Sequence, residues 1–460
     1  MNLVMRRRIQ SIGYPLRSVI PASIALAIVV LVGLAVVLTA GDSSAQPATP
    51  HGPSIEGMVL DGNGAPIQGA RISDGADLAI TGADGIFSFE AGAIENPNAL
   101  RVSAAGYRDH RVTPADFDPR LIVRLDVRPI HALYFNPVVT TSLDQVDALI
   151  EIINTTNANA VVVDIKEEWI WYETGVEFYH EAGAVRPAYD LAELLDRFDQ
   201  SNIYTIARLV VFKDSIVAEA HPDLAIRDTV SGGPWRDFNG VAWVNPMERE
   251  LWTPNLDLAV EAATAGFDEI QYDYIRFPSD GDLTTMDFGQ PYTQEARQAA
   301  IEGFLDESRR RLLPTGARQS ADVFGFTMVV DDDLGIGQHF ASLAQHVDYL
   351  SPMVYPSHYS EGQFGLPGHP NDFPYEIVDI SLQGGVERLG GRSLQIRPWL
   401  QDFDLYGMTP YGPEQVRAQI AAANEHGTSG WMLWDPENRF RAENLDPATE
   451  SDVPNPENGG

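Results

Sequence analysis

Cysteine is absent from the chain, which removes disulfides, thiolate metal sites and a cysteine nucleophile together. Basic residues are scarce: 31 Lys and Arg stand against 65 Asp and Glu, a formal charge of −34. That balance repels phosphate backbones and anionic lipid, so a nucleic-acid partner is not expected, whereas a neutral polymer remains acceptable. Solubility alone also accounts for the acidity. No glycine-rich loop follows the first strand candidate, where the chain reads Phe135-Asn136-Pro137-Val138, so a doubly wound nucleotide-binding sheet is disfavoured. The first strand candidate carries no His-x-His and the chain has no His-Glu-x-x-His, which disfavours metal-dependent amidohydrolases and zinc peptidases. No metal site and no organic cofactor is expected.

What is present is globular: 44% hydrophobic and 21% charged residues, over 460 positions, leave room for two folded units. Arg6, Arg7, Arg8 and Arg17 precede an uninterrupted apolar stretch from Val19 to Ala40, long enough to cross a bilayer. Residues 1–18 therefore read as a cytoplasmic basic tail, 19–40 as a single-pass transmembrane helix, and the rest as extracytoplasmic. A cleaved signal peptide is the alternative, since Thr39-Ala40 and Ser44-Ala45 supply small residues, and the protein would then be secreted. Residues 41–53, small, polar and proline-containing, read as a linker.

From 54 to 128 short alternating apolar runs (Ile55–Leu60, Ile86–Phe89, Leu100–Ser103, Leu121–Leu125) are separated by turn-formers such as Asp61-Gly62-Asn63-Gly64. This pattern predicts a small all-β sandwich. With Gly57–Asp61, Gly69–Ile72, Ala83–Phe87 and Ser103–Tyr107 in that order, the segment resembles the carboxypeptidase-regulatory-like domain. The resemblance implies a non-catalytic spacer or binding module.

Beyond Arg128 fully apolar strands alternate with longer amphipathic segments, the pattern of βα units. Eight strand candidates begin at His131–Phe135, Ala160–Asp164, Tyr204–Arg208, Glu269–Asp273, Gln319–Asp322, Tyr349–Met353, Leu394–Arg397 and Gly430–Trp434. The expected fold class is α/β: a (β/α)8 TIM barrel over 129–444, preceded by the sandwich and the transmembrane helix, with a disordered tail over 445–460.

Active sites of such barrels lie at the carboxyl ends of the strands, and polar side chains gather there. Asp164 and Lys166 end strand two, Arg208 sits on strand three, and Asp273 and Arg276 end strand four. Asp322 ends strand five, Tyr355 and His358 follow strand six, Arg397, Trp399, Gln401 and Asp402 surround strand seven, and Trp434 and Asp435 end strand eight. Asp164, Lys166 and Arg208 also fit a buried ion network that only fixes strand packing. Period-two alternation puts Gln271 with Asp273, and Ser320 with Asp322, on one face of each strand, so both aspartates point into one cleft. Two carboxyl groups across one bond are the equipment of glycoside hydrolysis. Asp273 is the candidate nucleophile and Asp322 the candidate acid/base; Glu167, Asp402 and Asp435 are reserves for the acid. Asp164, Lys166, Arg208, Arg276, Tyr355, His358, Arg397, Trp399, Gln401 and Trp434 are expected to bind substrate. Trp171, Trp235, Trp243, Tyr274, Tyr359 and Trp431 join the cleft as sugar-stacking candidates, with ordinary packing as the other reading of each. The loops from Ser279 to Tyr292 and His358 to Tyr375 are candidate rims. Asp331-Asp332-Asp333 lacks the spacing of a calcium loop and reads as a solvated turn with a helix cap. Ser357-His358 does not stand in a nucleophile elbow.

The segments Ala160–Lys166, Tyr204–Asp214, Trp243–Pro246, Gly266–Pro278, Ser320–Gly325, Ser351–Tyr359 and Arg397–Phe403 resemble a glycoside-hydrolase-like family of barrel domains found in bacterial surface proteins. The resemblance implies action on an extracellular or cell-wall polysaccharide. It also carries over to Asp273 the nucleophile that α-amylase-like and α-galactosidase-like barrels place at the end of strand four. Asp322 stands where α-amylase-like enzymes have a Glu, and strand six has no carboxylate between Tyr355 and His358. A catalytically silent polysaccharide-binding barrel is the rival expectation.

Overall fold

The computed structural model describes residues 54–76, 78–90, 100–112 and 121–448. The expected basic tail, transmembrane segment and linker of residues 1–53 lie outside the described residues, as do residues 449–460. Among the described residues no helix is long and apolar enough to cross a membrane.

Two small sheets come first. Ile86–Glu90, Ser54–Asp61 and Leu121–Leu125 form one, and Leu78–Ile80, Arg71–Ser73, Arg101–Ser103 and His110–Arg111 form the other. Along Leu121–Leu125 burial alternates residue by residue, which sends Leu121, Val123 and Leu125 inward and leaves Ile122 exposed. Val59, Ile72, Phe87, Val102 and Val123 meet in one core between the sheets. Each fully buried aliphatic side chain contributes about 1.5–3 kcal/mol to holding it together.

Eight parallel strands then close into a barrel: β1 (Ile130–Phe135), β2 (Ala160–Lys166), β3 (Tyr204–Val210), β4 (Glu269–Asp273), β5 (Arg318–Phe324), β6 (Tyr349–Val354), β7 (Trp399–Gln401) and β8 (Gly430–Trp434). Strand β2, Ala-Val-Val-Val-Asp-Ile-Lys, is buried along its whole length, as a strand must be when helices cover one face and the barrel interior the other. The helices between strands are α1 (Leu143–Thr155), α2 (Leu191–Gln200), α3 (Trp252–Ala265), α4 (Gln294–Leu312), α5 (Pro374–Arg388) and α6 (Pro413–Glu425). Their starts are written locally. Asp190 and Thr293 accept the orphan amides of Glu193 and Ala296, and Pro374 and Pro413 occupy first turns where no amide is missed. The β5–β6 connection carries only the four-residue helix Phe340–Leu343 and a 3-10 turn at Gly325–Val329. Closure of β8 on β1 depends on Gly430, whose φ is +103° and whose absent Cβ would stand 2.0 Å from the Ile130 carbonyl oxygen.

The strand expected at Leu394–Arg397 is displaced. Ser393–Gln395 is a 3-10 turn, Ile396 makes only an isolated bridge to Leu350, and the strand runs from Trp399 to Gln401, after Pro398, which has no amide to give to a ladder. The first residues of the tail expected over 445–460 are instead part of the fold: Leu445 is buried, Pro447 bridges to Thr156, and the Ala448 amide donates to Thr155.

Candidate active site

Alternation stacks the inward side chains of β4 and β5 in levels, as the sequence predicts. At the amino end Glu269 is ion-paired with Arg397, both fully buried, and accepts the Tyr204 hydroxyl at 3.1 Å. Halfway up, Gln271 donates to Ser351 at 3.3 Å. At the carboxyl end stand Asp273 and Asp322.

Arg208 of β3 is the hub of this upper level. Its Nη1 binds Asp164, its Nη2 lies 2.5 Å and its Nε 3.1 Å from Asp273 Oδ2, and Asp322 Oδ2 is 3.9 Å from the same Nε. Both aspartate oxygens thus lie against one nitrogen, which keeps them no more than about 7 Å apart, so one substrate bond can reach both. Arg208 grips a single oxygen of Asp273 with two nitrogens, while Asp273 Oδ1 accepts the Tyr274 amide at 2.5 Å. Asp322 is different: burial, and then the charge of Asp273, push it well above the usual carboxylate range, although Arg208 and the Trp399 indole, donating at 2.8 Å to Oδ1, pull the other way. The environment therefore favours the protonated form of Asp322 beside the Arg208-bound Asp273. Burial also raises Asp164.

Aromatic rings close the level. Tyr134 donates to Asp164 and stacks on Trp434 at 3.9 Å between centroids, Trp399 meets Trp434 edge-on at 5.5 Å, and the Arg208 guanidinium lies 5.2 Å from the Trp434 ring. Access comes from one side. The Asp322 side chain is 2% exposed and that of Asp273 9%, whereas that of Glu167, 4.0 Å from Arg208, is 45% exposed. Burial and Asp164 raise Glu167 to about 7. Directly after Asp273 the backbone of Tyr274 has φ +48°, a left-handed conformation uncommon for an aromatic residue and typical of backbone held under strain at a site.

Of the expected substrate-binding residues, Asp164, Arg208, Trp399 and Trp434 join the aspartates here. Tyr355 and His358 stand edge-to-face at 5.5 Å beyond β6, with burial lowering the histidine pKa, and both face Phe403. Gln401 is structural: its side chain accepts the Ser357 amide and donates to Asn371 and Phe403, fixing the turn that carries His358. Arg276 packs among Trp243, Tyr274 and Phe324 and donates to the Phe277 carbonyl, and burial lowers its pKa. Lys166 leaves the cleft altogether. Its ammonium, fully buried, lies 2.8 Å from Asp214, the cap of the helix Ser215–Ala220, so the expected grouping with Asp164 does not form. Arg397 is likewise not at the cleft, being held at the amino end by Glu269.

The aromatic lining is narrower than expected. Trp235, Trp243, Trp399, Trp431 and Tyr359 are buried in the core, with Trp431 stacked on His131, while Trp171, Tyr274, Tyr355 and Trp434 keep partial exposure. Asp402 and Asp435 form a separate acidic pair. Burial, and then Asp435, raise Asp402 to about 7, Asn444 donates to it, and Asp435 caps the turn after β8. Asp333 is buried rather than solvated, paired with Arg297 at 2.7 Å and accepting the Gly335 and Gly337 amides. No group of three His, Cys, Asp or Glu suited to a metal occurs among the described residues. Ser357 and His358 contact each other at 3.0 Å.

Sequence reasoning missed Tyr134 and Glu269. Tyr134 was legible as the polar-tipped residue near the carboxyl end of an otherwise apolar strand, and Glu269 as a charge opening a buried one. The second lysine of the chain, Lys213, has its ammonium 4.7 Å from the centre of the Tyr274 ring and 4.0 Å from Asp237, with the side chain 23% exposed.

A closed eight-stranded parallel barrel with acidic groups at the carboxyl ends of adjacent strands defines the class: a (β/α)8 barrel with its polar groups where such barrels carry their sites. Residues 132–440 match the family described as "putative glycosyl hydrolase domain", and the chain belongs to that family. Among solved structures, the glycoside hydrolase domain of PgaB (BpsB) from Bordetella bronchiseptica is similar in fold, with a TM-score of 0.51 and 12% identity, covering 69% of this chain and 99% of that one. A hypothetical protein from Ruminiclostridium thermocellum is 35% identical over 42% of this chain and 97% of its own, with a TM-score of 0.38. A chitinase from Chromobacterium violaceum is 14% identical over 68% and 96%, with a TM-score of 0.42. No curated protein sequence matches the chain.

Proposed function

We propose that this protein hydrolyses glycosidic bonds of an extracellular or cell-wall polysaccharide, with Asp273 as the nucleophile or base and Asp322 as the acid. The observation that carries this reading is the shared guanidinium: Arg208 binds Asp273 through two nitrogens while Asp322, next to it, is pushed well above the usual carboxylate range. The reaction needs one carboxyl to attack or to activate water and another to protonate the leaving oxygen, and the raised Asp322 suits the second task. Trp434 and Tyr355, partly exposed beside the pair, supply flat faces for a sugar ring. Glu167 is the second candidate for the acid, favoured by its exposure and its value of about 7. Membrane anchoring through residues 19–40, and a spacer role for the preceding β-sandwich, complete the proposal.

The test is release of reducing sugar from a panel of bacterial and plant polysaccharides by the wild-type protein, Asp273→Asn and Asp322→Asn. Turnover by the wild type that Asp273→Asn abolishes supports the reading. Glycan binding with no turnover in any form replaces it with the binding barrel, a reading that the near-complete burial of Asp322 favours.

A further inference from the structure

Arginine is concentrated at the opposite end of the barrel. Strand β5 opens with Arg318, helix α4 ends near Arg309, and the four-stranded sheet brings Arg71, Arg101 and Arg111 to the same place. Between them lies a cavity of about 200 Å³, floored by the turn from Leu313 to Ala317. For a chain at −34 this inverts the average surface. Among the described residues the carboxylates that answer these guanidinium groups are Asp109, Asp348, Asp74 and, acting on Arg309, Asp306. Asp109 binds both Arg101 and Arg318, Asp348 reaches Arg71 at 2.9 Å and also accepts the Gln319 amide, and Asp74 lines the cavity.

The pairing is incomplete. Arg318 has a side chain only 7% exposed, yet among the described residues its Nη1 has no hydrogen-bond acceptor; the Asp348 oxygen facing it is 3.6 Å away. Arg309 Nε is also buried without an acceptor among the described residues, while its Nη1 donates to the Gln345 carbonyl at 2.8 Å. Burial, and then the charge of Arg71, pull Arg309 down to about 10 against the charges of Asp348 and Asp306, whereas Asp109 and Asp348 hold Arg318 up in spite of its burial. Buried donors without acceptors are rare in folded proteins and point to a missing partner. The cavity is several times the roughly 30 Å³ that one water occupies, and guanidinium forks match planar or tetrahedral oxyanions.

We propose that this cavity between the small sheets and the barrel is a binding site for a phosphate or carboxylate group, gripped by Arg309, Arg318 and Arg111. Arg318 precedes Asp322 by four residues along β5, about 13 Å at the rise of a strand, so the anion sits away from the acidic pair and binds whether or not the barrel cleaves glycans. An oxyanion there ties Arg111 of the sheet to Arg309 and Arg318 of the barrel.

The experiment is calorimetric titration of the full chain with inorganic phosphate, and separately with polygalacturonate, at ionic strength held constant with chloride. Wild type, Arg309→Gln, Arg111→Gln and, as a control on an exposed arginine elsewhere, Arg236→Gln are compared. Saturable phosphate binding, accompanied by a rise in Tm, weakened at least about tenfold in Arg309→Gln and Arg111→Gln and unchanged in Arg236→Gln, is the expected result. Binding of polygalacturonate alone, weakened by the same two variants, also supports the site and identifies the anion as a group carried on a polymer. Should Arg309→Gln not fold, Arg111→Gln, at the exposed rim, decides the matter. No binding above the chloride control, or binding that the variants leave at wild-type strength, overturns the proposal.

Discussion

Removing the charge of Arg208 while keeping its bulk, as in Arg208→Met, tests the electrostatics of the upper level directly. The guanidinium contacts Asp164 and Asp273 and has Asp322 at 3.9 Å, and all three aspartates are buried. Taking away one partner of a buried ion pair costs about 3–5 kcal/mol, because the remaining charge is stranded. At about 2–4 °C per kcal/mol for a large domain, Tm at pH 7 should fall by on the order of 10 °C. The pH dependence has a definite sign. Asp164 and Asp322 have folded-state values raised, chiefly by burial, so the folded protein holds protons that the unfolded chain releases. Their contribution is complete below the ordinary carboxylate pKa and is lost as pH rises through the raised values. Arg208 lowers both groups, so without it the loss extends further, at up to about 1.4 kcal/mol per pH unit for each proton. Calorimetric unfolding of both proteins between about pH 5 and pH 8 should show a Tm gap that widens with pH. A gap that stays constant or narrows refutes the reasoning.

Three further outcomes follow from the same geometry. Trp399→Phe removes the indole donor that favours ionised Asp322, so the alkaline limb of the kcat/KM profile should move up by about half to one pH unit, and an unmoved limb would separate that limb from Asp322. Asp322→Asn should lower kcat by about 10²–10⁴-fold while Glu167→Gln keeps it within about tenfold; the reverse order in steady-state kinetics would transfer the acid role to Glu167. Arg397→Met should cost about 3–5 kcal/mol in denaturant unfolding by stranding Glu269, yet leave kcat/KM per folded molecule nearly unchanged, and a selective loss of activity would return Arg397 to the cleft.

The barrel was legible because its strands are written in buried aliphatic runs: β4 and β8 fall where the apolar pattern puts them, and alternation from Gln271 to Asp273 and from Ser320 to Asp322 carries both aspartates inward as read. Partners were not legible. Lys166 is two residues from Asp164, and nothing local says that its ammonium turns to Asp214 on a later loop; nor does the sequence show that Arg397, beside Trp399, drops to Glu269 at the far end. Those choices depend on which opposite charge the closed barrel brings within reach, a long-range fact that spacing along one strand does not contain. The aromatic residues failed for a related reason. Trp243 and Trp431 carry the same side chain as Trp434, and only the packed structure decides which keeps a face free.

The scarcity of lysine has a practical consequence. Two of the chain's basic side chains are lysines, and of these Lys166 is sealed in the barrel wall while Lys213 keeps its amine partly open beside Tyr274, the residue that follows Asp273. Acylating reagents ignore guanidinium groups, so apart from the α-amine they meet one target on the folded chain. A fluorophore or photocrosslinker coupled there by ordinary ester chemistry would report from the mouth of the acidic pocket without a single engineered residue.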